Sequence, residues 1–219
     1  FGHSHIDVAW LWPLQETERK CGRTFATQLA LMAEYPEYRF LQSQPHLYRM
    51  TQQRYPDLYA RVKDAAARGQ FIPDGAAWVE PDTNISGGEA LIRQLIHGKR
   101  FYRDEFGVDC ELLWLPDVFG YSGALPQIMR GCGIKYFSTQ KIFWTYNGGE
   151  PFPHNTFIWE GIDGSEVFVH LHNDYNSETC PNATIARWKE RVQKDGIATR
   201  LMPFGHGDGG GGPTRNHLE

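Results

Sequence analysis

A strand-then-helix rhythm from Phe1 to Ser138 restricts this chain to one broad class of fold. Phe1 to His5 reads as the end of a strand, and Thr17 to Glu34 places Cys21, Phe25, Leu29 and Met32 near helical period before Pro36 stops the run. Tyr38 to Ser43 reads as the next strand, followed by a helical stretch from Leu47 to Ala67 that breaks near Pro56 and closes at Gly69. Phe71 to Ala77 and Glu89 to Phe106 repeat the unit, as do Cys110 to Leu115 and Leu125 to Gly131, and Ile134 to Ser138 adds a further strand. Alternation of this kind predicts a parallel α/β sheet.

Beyond Lys141 the rhythm changes. Thr156 to Glu160 and Glu166 to Leu171 flank Gly161-Ile162-Asp163-Gly164, whose Asp-Gly predicts an antiparallel hairpin. Ile185 to Lys194 reads as a helix, Ala198 to Phe204 as a last strand, and Gly209 to Gly212 as a flexible loop. Neither an internal repeat nor a Pro/Ser-rich linker divides the 219 residues, so residues 1–219 are expected to form one domain.

The composition narrows the class. With 22 Lys and Arg scattered among 26 Asp and Glu, net charge −4, there is no basic stripe to neutralise phosphates, so nucleic acid is not the expected partner. The longest apolar runs, such as Ala30 to Ala33, fall far short of the roughly 20 residues that cross a bilayer. Cys21, Cys110, Cys132 and Cys180 lack CxxC spacing and read as reduced thiols, mostly buried. No charged n-region followed by an apolar h-region opens the chain, and the expectation is a cytoplasmic protein cut short at both ends, with Leu218-Glu219 resembling a cloning remnant.

Polar chemistry gathers where the expected strands end: His5 and Asp7, Gln44, Trp78 and Glu80, Asp117, Lys141, His170 and His172, His206 and Asp208. Contributions from several strand ends favour a β/α barrel over a doubly wound sheet, whose site would sit at one crevice. His5-Ile6-Asp7 sets two metal-competent side chains at i and i+2, which in extended backbone point to one side. Asp117, between apolar neighbours at the end of Trp114-Leu115-Pro116, is a carboxylate whose charge is costly unless paired. Nitrogen plus two carboxylates, from His5, Asp7 and Asp117, suit zinc with a position open for substrate. Asp208, in Gly205-His206-Gly207-Asp208, adds a second free carboxylate, and unequal carboxylates can divide nucleophile and acid roles between Asp117 and Asp208. The glycine run lacks the Lys-Ser/Thr of a phosphate loop. Trp10, Trp12, Trp78, Trp144 and Tyr175 lie near these strand ends, where aromatic faces can stack on sugar rings.

Four segments in order, His3-Ser4-His5-Ile6-Asp7-Val8-Ala9-Trp10, Asp74 to Asp82, Leu115 to Ser122 and Phe204 to Thr214, resemble the family 38 glycoside hydrolases, the class II α-mannosidases, and most of all their cytosolic and bacterial branch. The resemblance implies a seven-stranded β/α barrel, a catalytic Zn2+ and hydrolysis of α-mannosides in oligosaccharides with retention of configuration. It further implies His5, Asp7 and Asp117 as zinc ligands, Asp117 as nucleophile, Asp208 as general acid/base, Trp10 beneath the bound mannose, and Phe119, Lys141 and Tyr175 at the pocket. A fourth ligand, a His from a QFHD-like segment, is absent here, as are the later domains, so the resemblance points to an excised and incomplete barrel. His206 stays outside the ligand set, and His170-Leu171-His172 reads as one packed and one hydrogen-bonded histidine.

Two other classes remain open at this point: a metal-dependent carbohydrate deacetylase, with a base beside metal-bound water, and an inactive sugar-binding fragment. Retention requires the two carboxyl groups about 5 to 5.5 Å apart, which separates the first reading from the second. An incomplete barrel would also expose an apolar edge and so allow a homo-oligomer.

Overall fold

Helix α1 (Leu14–Glu34) buries Thr17, Cys21, Phe25, Gln28, Leu29 and Met32 along one stripe, the spacing a helix needs to cover a sheet. The computed structural model describes every residue except 145–149, 151, 173 and 195. Beside α1 lies a parallel sheet of β1 (Gly2–His3), β2 (Phe40–Gln42) and β3 (Phe71–Pro73), in that order. Between β2 and β3 the chain forms α2 (Pro45–Arg54) and α3 (Pro56–Ala67). They separate because Pro56, first residue of α3, lacks an N–H and drives Tyr55 out of helical backbone, to φ −138°.

Helix α4 (Gly88–Phe106) ends at Gly107, whose φ of +70° lets its N–H return to the Arg103 carbonyl at 3.0 Å. Midway along α4, a Cβ on Gly98 would stand 1.7 Å from the Ala76 carbonyl oxygen, so only glycine lets the helix lie this close to the segment after β3. Strand β4 (Leu112–Leu115), helix α5 (Leu125–Gly131) and β5 (Tyr136–Thr139) continue the alternation. The core is aromatic: Phe71 meets Phe25 and Phe40 edge to face, at 5.4 and 5.2 Å between centroids, and Tyr48 packs on Phe25 at 5.5 Å. Each such ring contributes roughly 1.5–3 kcal/mol through burial.

The hairpin is present as β6 (Thr156–Glu160) and β7 (Glu166–His170), paired antiparallel. Helix α6 covers Pro181–Lys189, four residues earlier in its start than the expected Ile185, and α7 (Arg215–Leu218) closes the chain. Among the described residues no helix is long and apolar enough to cross a membrane. The four cysteines are free, with Cys21 and Cys110 buried, Cys132 half-buried and Cys180 exposed.

The expected seven-stranded barrel does not form. Among the described residues the strands divide into the sheet β1-β2-β3 and a mixed sheet β4-β5-β7-β6, joined by an isolated bridge between Gly75 and Leu113. Closure needs every strand paired on both sides. Here the Asp163-Gly164 reversal leaves β6 paired only to β7, at the edge of the mixed sheet. At the other end Ala198 to Phe204, expected as a strand, makes only isolated bridges from Phe204 to Gly2 and Ser177. Pro203 has no N–H to give to a ladder there.

Candidate active site

The segment after β1, Gln44 after β2, the loop after β3 and the end of β4 meet at one cavity of about 280 Å³, lined among others by His5, Asp7, Glu80, Asp117 and Phe119. Two larger clefts flank α4, of about 550 and 700 Å³. In both, cations outnumber carboxylates: Arg49, Arg93 and Arg100 stand against Asp104 and Glu105 beside His97 in the first, and Lys99, Arg100 and Arg103 against Glu89 in the second. The smaller cavity reverses that balance, with Asp7, Glu80, Asp82 and Asp117 around His5, and the chemistry selects it.

His5, 3% exposed, stands at its centre. Its Nε2 lies 3.1 Å from Asp7 Oδ1 and 3.7 Å from Asp117 Oδ2, while Nδ1 lies 3.0 Å from Glu80 Oε1. Burial alone would lower this imidazole, but Glu80 and Asp7 outweigh it and hold the pKa well above the ordinary value. Donor atoms of His5, Asp117 and Asp208 all fall within 4.8 Å of one another. The structure therefore brings together His5, Asp7 and Asp117, and adds Asp208, which the sequence reading kept apart as an acid.

Lys141, buried in the short 3₁₀ turn after β5, approaches Asp117 Oδ1 at 2.8 Å. Its ammonium also sits 3.4 Å from the centre of the Phe119 ring and 4.7 Å from that of Trp144. Gln140 reaches the same Asp117 oxygen at 3.4 Å. Tyr175 donates its hydroxyl to Asp208 Oδ1 at 2.6 Å and rests its ring on His5, centroids 4.9 Å apart. Burial first, then the carboxylates of Asp208 and Asp117, push that phenol far up, so Tyr175 acts as a donor. Phe119, 64% exposed, lines the cavity, whereas Trp10, 60% exposed, meets Trp12 edge to face and is not among the lining residues.

The glycine run is anchored, which corrects the expectation of a flexible loop at Gly209 to Gly212. His206 and Gly212 exchange backbone hydrogen bonds at 2.9 Å, and Asp7 N–H donates to the Asp208 carbonyl at 2.9 Å. Helix α1 holds the run from the side through Arg23 to Gly209, Gln28 to Gly211 and the Gly211 N–H to Thr24. A Cβ at Gly210 would come within 2.6 Å of Thr24 Oγ1, and its φ is +78°. Here glycine permits close approach rather than freedom. Asp208 itself adopts φ +53°, unusual for a side-chain-bearing residue.

The family model described as Glycosyl hydrolases family 38 N-terminal domain matches residues 1–219. The chain belongs to glycosyl hydrolase family 38. It is 47% identical over 220 residues to "Alpha-mannosidase 2C1" of Homo sapiens, and 46% identical over 220 residues to "Alpha-mannosidase G" of Dictyostelium discoideum. Both matches take in 100% of this chain but 21% and 20% of those proteins, so the chain spans about a fifth of the length of these curated relatives. An α-mannosidase structure from Enterococcus faecalis V583 shares the fold with a TM-score of 0.76, over 96% of this chain and 25% of its own, at 23% identity.

In this family 38 chain the four motif segments converge from different parts of the fold, as the geometry above shows. Gln44 and Glu80 were visible as polar residues at strand ends, yet their part in the site was not. Gln44 donates Nε2 to the Ile6 carbonyl at 3.0 Å and to Glu80 at 3.3 Å, and Glu80 Oε2 accepts the Asp117 backbone N–H at 3.2 Å. His170 and His172 stay outside the site: His170 bonds Thr156 at 2.8 Å, and His172 is buried flat against Trp114 with centroids 4.4 Å apart.

Proposed function

We propose that this chain is the catalytic part of a retaining α-mannosidase that removes terminal α-linked mannose from oligosaccharides, with Asp117 as nucleophile and Asp208 as general acid/base. The observation that carries the reading is the juxtaposition of Asp117 and Asp208, with carboxylate oxygens within 4.8 Å, in a family 38 chain. Oxygens this close suit a retaining pair, in which one carboxylate attacks while the other carries the proton. Membership of family 38 favours this reading over the deacetylase alternative, which needs a base beside water.

The donor set fits a divalent cation, because Asp7, Glu80, Asp117 and Asp208 gather around His5 and Lys141 with negative charge in excess. His5, Asp7 and Asp117, with Asp208 in reach, would hold it, and zinc suits a mixed nitrogen and oxygen set. When bound, such an ion polarises a substrate oxygen and stabilises developing negative charge. The chain's own residues do the remainder. Lys141 fixes Asp117 through Oδ1, which leaves Oδ2 as the atom for attack on the anomeric carbon. Tyr175 occupies Asp208 Oδ1, so the proton for the departing oxygen is carried on Oδ2. The exposed ring of Phe119 at the cavity lining offers an apolar face for a sugar, and the exposed Trp10 is assigned to an outer position beyond that lining.

The test is hydrolysis of an aryl α-mannoside by the full-length protein, followed by NMR of the first-formed sugar. Release of the α-anomer, abolished by a chelator and restored by Zn2+, is the expected result. Release of the β-anomer, or of acetate from an acetylated sugar, would overturn the reading.

A further inference from the structure

Glu80 touches more of the site than any role given to it so far explains. Its side chain is 8% exposed. Oε1 accepts from His5 Nδ1 at 3.0 Å and from Gln44 Nε2 at 3.3 Å, and Oε2 accepts the Asp117 backbone N–H at 3.2 Å. The Glu80 N–H in turn donates to Gln44 Oε1 at 3.2 Å, so Gln44 grips the residue at both ends. Gln44 pays for this in backbone conformation, with φ +65° in the left-handed region.

We propose that Glu80 is a positioning residue: it holds the His5 ring with Nδ1–H as donor, so that Nε2 faces Asp7 and Asp117, and it pins the Asp117 main chain beside that ring. The inference rests on the cation site proposed above. An imidazole that binds a metal through one nitrogen characteristically donates from the other to a carboxylate, which sets tautomer and ring orientation together. Here the carboxylate comes from the loop after β3, the histidine from the segment after β1 and the second clasped group from the end of β4. One side chain thereby ties the two candidate metal-binding strand ends into register.

A purely space-filling role makes a different prediction. Glutamine matches glutamate in volume, but its amide has one acceptor oxygen, and its NH2 would face either His5 Nδ1–H or the Asp117 N–H. Glu80→Gln must therefore break one of the two clasps without opening a cavity.

The experiment uses the full-length protein and measures Zn2+ affinity by competition with a chromogenic chelator, for wild type, Glu80→Gln, Glu80→Ala and His5→Ala. Aryl α-mannoside turnover is measured in parallel at limiting and saturating Zn2+. Glu80→Ala should bind Zn2+ about 10- to 100-fold more weakly, with Glu80→Gln also weakened. Saturating Zn2+ should restore most of kcat in both, since the ligands themselves remain. His5→Ala should bind more weakly still, without recovery. Unchanged Zn2+ affinity in Glu80→Gln and Glu80→Ala, beside a weakened His5→Ala, would overturn the role of Glu80 alone, and so would lost activity that excess Zn2+ does not restore. A wild-type protein that binds no Zn2+ would overturn the cation site itself, and this inference with it.

Discussion

Helix α1 buries eight of its residues, whereas α6 buries none. The contrast extends to the sheets. Around β1, β2 and β3 the rings of Phe25, Phe40, Tyr48 and Phe71 interlock, while on the mixed sheet Tyr136, Phe168 and Ile158 face one another across β5, β7 and β6 and remain exposed. The site draws on both sheets: His5, Asp7 and Glu80 follow β1 and β3, the glycine run returns to lie on α1, and Asp117 follows β4, the buried strand of the mixed sheet that is bridged to the segment after β3. Lys141 and Tyr175, which follow β5 and β7, each hold one oxygen of a carboxylate. Rigid elements thus carry the groups proposed to bind and attack, and the less packed segment supplies partners that set their charge and orientation.

The largest effect expected is on turnover. Asp117→Ala in the full-length protein should lower kcat by on the order of 10⁴-fold, because nucleophile and proposed cation ligand vanish together. Asp208→Ala should instead slow natural oligosaccharides far more than aryl mannosides with activated leaving groups, which need no proton at departure. Near-normal turnover in Asp117→Ala, or equal losses on both substrates in Asp208→Ala, would remove those assignments.

Next comes stability, where the two regions should part. Phe25→Ala, at a fully buried ring, should cost about 3–5 kcal/mol. Ile185→Ala, on the exposed face of α6, should stay within about 0.5 kcal/mol. Thermal unfolding midpoints measure both, and comparable shifts would erase the distinction drawn between α1 and α6.

Much of the packed region was legible in the sequence. The strand and helix periods located each element from β1 to β5, and the break before Pro56 separated α2 from α3. Closure was not legible, because periodicity reports which faces are apolar but not which edge finds a partner. Pro203 and the Asp163-Gly164 reversal decided that instead. The glycine run misled for a related reason: four glycines permit either freedom or close approach, and only the position of Thr24 and Gln28 on α1 discriminates. Glu80 sat in plain view within the Trp78-Val79-Glu80 segment, but its clasp on His5 and Asp117 depends on three loops meeting.

A third and smaller effect sharpens how closely α4 must lie. Gly98→Ala gains helix propensity of about 1 kcal/mol, yet its Cβ would meet the Ala76 carbonyl at 1.7 Å. Displacement of the backbone there should leave a net loss of about 1–3 kcal/mol. A stabilised variant would show that α4 can withdraw from the loop after β3 at no cost.

The smallest effect, per unit of pH, comes from histidines buried on opposite terms within one layer. His3 lies between the Leu41 carbonyl at 3.0 Å and Trp114 Nε1 at 3.3 Å, and burial pushes its pKa down to about 3. Between pH 6.5 and about 3 the unfolded chain holds a proton at this position that the folded chain does not. Stability should therefore fall as pH falls through that window, by up to about 1.4 kcal/mol per unit. His172, buried against Trp114, shifts in the same direction and adds to the slope. His5 has the opposite sign, since its raised folded pKa stabilises the metal-free protein below pH 6.5 and that contribution is lost as pH rises through the folded value. For these three groups together, the metal-free protein is most stable near pH 6.5. Unfolding midpoints between pH 4 and 6.5 should thus decline more steeply with acid in the wild type than in His3→Asn, whatever the overall stability of the variant. Parallel slopes in the two proteins would mean that His3 is protonated in the fold and that its acceptance of the Trp114 indole N–H at Nε2 is the interaction to be revised.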